Sequence, residues 1–102
     1  MFILVYLTAG NEQEAKKIAE TLVTEKLVAC VNYFPINSVY EWKNKLEKTT
    51  EFVLICKTKK EKFKSLEKRV RKIHSYENPA IVALDIVDGS KIFLDWINDQ
   101  TK

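Results

Sequence analysis

Residues 27–42 read LVACVNYFPINSVYEW, and residues 50–58 read TEFVLICKT. Both runs are rich in β-branched, aromatic and other apolar side chains, which fit a strand better than a helix. The first extends as a strand from Leu27 to Phe34. Pro35 should bend or bulge it, and Ile36–Trp42 continues extended. The polar stretch KNKLEKT between the runs reads as a turn with Asn44 at its tip. The two runs therefore form a long hairpin, and the fold is decided by what stands on either side of it.

Before the hairpin, Phe2–Thr8 is apolar throughout, as expected of a strand buried on both faces. Asn11 and Glu14 have capping-box spacing, and Ala15, Ile18, Ala19, Leu22 and Val23 follow as one helical stripe. After the hairpin, Thr58 and Glu61 repeat that spacing ahead of a helix with Phe63, Leu66, Val70 and Ile73 on one side. Pro79 introduces a strand at Ala80–Val87, and Asp88 is placed to cap a last helix carrying Ile92, Phe93, Trp96 and Ile97. The order is strand, helix, strand, strand, helix, strand, then an added helix. This predicts an α+β fold: a ferredoxin-like βαββαβ sandwich with an extra C-terminal helix, in one domain spanning residues 1–102. Right-handed crossovers put both main helices on the same sheet face.

Composition sets the outer limits. The chain has 102 residues, 46% hydrophobic and 30% charged, which is a globular balance. The opening MFILVYL is too short to cross a membrane and has neither the basic start nor the cleavage pattern of a signal peptide, so a cytoplasmic protein is expected. Cys30 and Cys56 are isolated within apolar runs and read as reduced thiols rather than a disulfide. Residues 57–72 hold nine basic and two acidic side chains. Such a face can attract an anion, but it reads more plainly as a solvated helix surface.

Two helices cover one sheet face only, yet the strands are apolar on both. Phe52, Leu54 and Cys56 point one way and Val53 and Ile55 the other. An isolated chain would expose a large apolar surface. Tyr33, Phe34, Val39, Tyr40 and Trp42 add more along the hairpin. The expected cover is further copies of the chain in a closed ring.

The segment LVACVNYFPINSVYEW, then Glu51, HSYENPAI and Trp96 together resemble the CutA family of divalent-cation-tolerance proteins, from Leu4 to Ile97. The family's L-x-A-C-V-N, followed by Pro and S-x-Y-x-W, is all present. Its H-P-Y and P-E-I motifs appear with Ser75 in place of proline and Ala80 in place of glutamate, and Asn44 stands where glycine is common. The resemblance implies a homotrimer with strand pairing between subunits, a likeness to the PII regulatory proteins, a link to copper or another divalent metal, and no established enzymatic activity.

Candidate sites follow. His74, the one histidine, and Cys30 are the candidate metal ligands, which contacts between subunits would have to complete. The plainer readings are a histidine bonding the free carbonyls at its helix end and a small buried thiol. Tyr40, Trp42, Glu51, Lys57 and Tyr76 form a candidate cleft between subunits for a small anionic effector of PII type. An RNA-binding module shares this element order, but TEFVLICKT lacks the aromatic series that stacks bases, so no nucleic acid partner is expected. Covalent catalysis has no local signature, and no glycine-rich phosphate loop is present.

Overall fold

The computed structural model describes residues 1–102. The elements are β1 (Phe2–Ala9), α1 (Glu12–Thr24), β2 (Cys30–Trp42), β3 (Lys45–Lys59), a 3-10 turn at Lys60–Lys62, α2 (Phe63–Ile73), β4 (Ile81–Asp85) and α3 (Lys91–Gln100). The sheet order is β2-β3-β1-β4 with every neighbour antiparallel. β1 and β2 are thus parallel with β3 between them, which is the split βαβ unit the sequence predicts.

Alternation along the strands divides the sheet into two faces. The register aligns Ile3, Val5 and Leu7 of β1 with Thr58, Cys56 and Leu54 of β3, and all six are buried. Ala15, Ile18, Ala19 and Leu22 of α1 and Leu66 and Val70 of α2 close over them. Val23, read as part of the α1 stripe, lies outside it and is exposed.

Capping differs from expectation at all three helices. At α1, Asn11 Oδ1 accepts from Glu14 N–H at 2.8 Å, but the Glu14 carboxylate does not return to Asn11. It accepts instead from the amides of Gly10 and Ser75. The Thr58–Glu61 box does not form: β3 runs on to Lys59, and the buried Thr58 hydroxyl donates to Leu27 O at 2.7 Å. At α3 the cap is Ser90, which accepts from Phe93 N–H, while Asp88 accepts from Gly89. α1 ends in a Schellman motif with Lys26 left-handed (φ 63°), Leu27 N–H bonding Leu22 O and Lys26 N–H bonding Val23 O.

The hairpin is longer and straighter than expected. β2 starts at Cys30, not Leu27, and passes Pro35 without losing register against Phe52. β2 is an edge strand, so the missing proline N–H leaves no ladder bond broken on the open side. The turn is only Lys43–Asn44, both with positive φ, as a two-residue type I′ hairpin requires. Lys45–Thr49, read as turn, belongs to β3. Since β1 ends opposite Phe52, residues 45–51 of β3 pair with β2 alone, and the hairpin projects as a two-stranded arm. The strand expected at Ala80–Val87 is the shorter Ile81–Asp85.

The face away from α1 and α2 is buried at Thr8, Glu51 and Val53 but bare on the outer strands. Val82 and Leu84 of β4 are 51% and 52% exposed, and Phe34 of β2 is 48% exposed. α3 contacts β3 and buries Ile97, with Asn98 accepting a hydrogen bond from Lys59, but Ile92, Phe93 and Trp96 stay exposed.

Candidate functional site

A cleft of about 520 Å³ opens where the root of the arm meets the segment after α2. Period-two alternation puts Ser38, Tyr40 and Trp42 of β2 on the bare sheet face, beside Tyr6 and Thr8 of β1 and Glu51 of β3. Tyr76, Glu77, Asn78 and Ala80 supply the opposite wall.

Glu51 is its centre. The residue is 6% exposed, although it stands at the start of the apolar half of β3. A buried carboxylate without hydrogen bonds is costly, and Tyr76 compensates by donating its phenol O–H to Oε1 at 2.9 Å. Oε2 accepts no hydrogen bond within the chain. Burial first, and then the bond to Glu51, push the Tyr76 phenol well above its ordinary range, so it stays a donor. Two residues back along the same strand, the buried Thr49 hydroxyl also lacks a partner.

The turn that aims Tyr76 is held from behind. His74 caps α2, its amide donating to Val70 O. Its side chain does not bond its own helix end, as the sequence suggested. Nε2 lies 2.6 Å from Thr8 O, and Nδ1 accepts from Tyr76 N–H at 3.0 Å. A carbonyl can only accept and an amide can only donate, so the two partners select the Nε2–H tautomer. The imidazole is almost fully buried and lies 4.8 Å from the Tyr76 ring, centroid to centroid. Glu14 ties the same turn to α1 through Gly10 N–H at 2.9 Å and Ser75 N–H at 2.8 Å. Proline at position 75 would have no N–H to give. At Gly10 an added Cβ would stand 3.3 Å from the Tyr76 ring, so the small residue permits this close approach.

Four of the five cleft residues expected from sequence, Tyr40, Trp42, Glu51 and Tyr76, therefore meet. Lys57 does not: six residues along β3 place it about 20 Å from Glu51. It pairs instead with Asn32. The ionisable residues that line the cleft, tyrosines aside, are Glu41, Glu51 and Glu77. This lining repels the anionic effector for which the residues were first grouped. Tyr6, Glu41 and Glu77 were missed, although the parity of β1 alone puts Tyr6 on this face.

The two candidate metal ligands stand apart. Cys30 sits opposite Lys57, whose other neighbour is Leu4, whereas His74 bonds Thr8. Four strand residues separate the two levels, about 13 Å. Within the chain no group of three or more His, Cys, Asp or Glu side chains comes together to hold a metal ion. Cys30 is half-buried and free. Cys56 is also free, and burial pushes its thiol up to about 12. On the sheet face away from the helices β3 presents Val53 and Ile55, while its Phe52 belongs to the helix side. No helix is long and apolar enough to cross a membrane.

Comparison with known proteins adds the following. The family described as CutA1 divalent ion tolerance protein matches residues 3–100. The divalent-cation tolerance protein CutA of Archaeoglobus fulgidus is 46% identical over the full length of both chains. A solved structure described as the periplasmic divalent cation tolerance protein CutA of that organism superposes with a TM-score of 0.98 at 45% identity, covering all of both chains. The solved divalent cation tolerance protein of Thermus thermophilus gives 0.96 at 39% identity, again over all of both chains.

Proposed function

This chain belongs to the CutA1 divalent ion tolerance family, and from that premise we propose that it works as a homotrimer that holds copper or another divalent metal between subunits. One observation carries the reading: the bare sheet face. Phe34, Val82 and Leu84 are about half exposed there, on strands that also form the two open edges of the sheet. An apolar face flanked by unpaired edges favours association through both features, and a closed ring uses them up.

Cys30 is the ligand this arrangement favours. Its register puts it on the bare face, on the edge strand β2, where copies would meet. A thiolate suits copper, above all Cu(I). His74 reaches a metal only by giving up both backbone bonds, so its contribution is to hold the cleft. The family is characterised by ion tolerance and not by a catalysed reaction. The cytoplasm is the expected location, and the two free thiols support it.

Sedimentation and copper titration test the reading together. We expect three chains per particle, copper binding lost in Cys30→Ser, and binding retained in His74→Ala. A folded single chain that resists dilution, or a Cys30→Ser variant that binds copper like the wild type, would sink it.

A further inference from the structure

We propose that the Glu51 cleft is a binding site for a small organic ammonium ion, a ligand class distinct from the divalent metal above. Three independent features point to it. First, the charged residues that one chain contributes to the lining are all carboxylates, with Lys43 at the rim beside Glu77, and Glu51, more than nine-tenths buried, has only one of its two oxygens hydrogen-bonded. A charge in such a place attracts a cation more strongly than one in open solvent. Second, the walls are aromatic: Tyr76 bonds the carboxylate, and Tyr40 and Trp42 line the cleft farther out along β2. Ring faces attract ammonium groups, and the same rings shelter the carbon substituents. Third, the chain already sets an ammonium at the rim. Lys43 Nζ lies 5.7 Å from the Trp42 ring centroid and 3.9 Å from Glu77 Oε1, touching two lining residues while its side chain stays mostly in solvent.

The same geometry disfavours a bare divalent ion here. Calcium and magnesium need six or more oxygens close together. Here the single buried carboxylate has spent one oxygen on Tyr76, and no cluster of three metal-ligating side chains exists. A volume of about 520 Å³ also suits an organic ion better than a metal ion.

The test is calorimetric titration of the native assembly with choline, and with 3,3-dimethylbutan-1-ol, its uncharged carbon isostere. Choline should bind about tenfold or more tightly than the isostere. Glu51→Gln keeps an acceptor for Tyr76 and removes the charge, and it should weaken choline about tenfold. Trp42→Leu, at a half-exposed position that leaves the core intact, should weaken it several-fold, about the share of one ring. Circular dichroism confirms that each variant is folded. The proposal is overturned if choline produces no binding heat, if choline and the isostere bind alike, or if neither substitution changes the choline affinity. Equimolar calcium displacing choline would also overturn it, because the cleft would then be a site for hard ions.

Discussion

Replacing His74 with alanine removes a side chain that bonds the backbone at two places. The carbonyl of Thr8 loses its Nε2–H donor and the amide of Tyr76 loses its Nδ1 acceptor, at a site closed to solvent. Each lost bond is worth about 1 kcal/mol, and each buried backbone group left unpaired adds to that. The ring's packing against Tyr76 goes as well. The sum is about 3–4 kcal/mol, in the range of disrupted buried networks. In a chain of this size that lowers Tm by roughly 15–25 °C. The assay is denaturant unfolding at one fixed protein concentration, because the proposed association would contribute to the apparent stability. Copper titration of the folded variant runs beside it. A variant that unfolds within about 1 kcal/mol of wild type, yet no longer takes up copper, would refute the reasoning and return His74 to the metal.

Lys26→Gly should stabilise the chain by about 0.5–1 kcal/mol, because a left-handed lysine at the end of α1 gives way to the residue that favours it; a loss of stability in the same unfolding assay would contradict the Schellman geometry. Burial acts to raise the pKa of Glu14, but hydrogen bonds from Gly10 and Ser75 more than offset it, and the carboxyl sits below its ordinary 4.5. A depressed carboxyl stabilises the fold above its unfolded value and stops doing so as pH falls through the folded one. Glu14→Gln should therefore give a flatter stability profile than wild type below pH 4.5, and parallel profiles would remove Glu14 from the frame. A thiol reagent at neutral pH should spare the buried Cys56 until denaturant is added; modification of Cys56 in the native protein would show that it is not enclosed.

α1 and α2 were legible because burial leaves a period, in Ile18 and Leu22 and in Leu66 and Val70, whereas β1 was legible as an unbroken apolar run, although only Ile3, Val5 and Leu7 of its first six residues are fully buried. The end of α1 was hidden because a lysine, not a glycine, takes the left-handed position. Lys45–Thr49 was hidden because an arm that pairs on one side only has no core to demand apolar residues. Capping went astray where side chains had long-range partners: Thr58 reaches Leu27, and Glu14 reaches Ser75. The cleft was legible as a group of residues, since alternation places Tyr40 and Trp42 together, but its charge was not. Lys57 was counted within it although strand rise alone puts it far away. Glu77, which helps make the cleft acidic, carries no pattern of its own.

The two-stranded arm has a consequence for the order of folding. A lone ribbon of two strands is barely stable in water, and beyond Phe52 no strand of the same chain pairs with β3 on the side away from β2. The root can close with the core, while the outer half would gain lasting order from the docked neighbours of the proposed trimer. Amide hydrogens near Val39 and Leu46 should therefore exchange faster as the protein is diluted, whereas those of Val5 and Leu54 keep their pace.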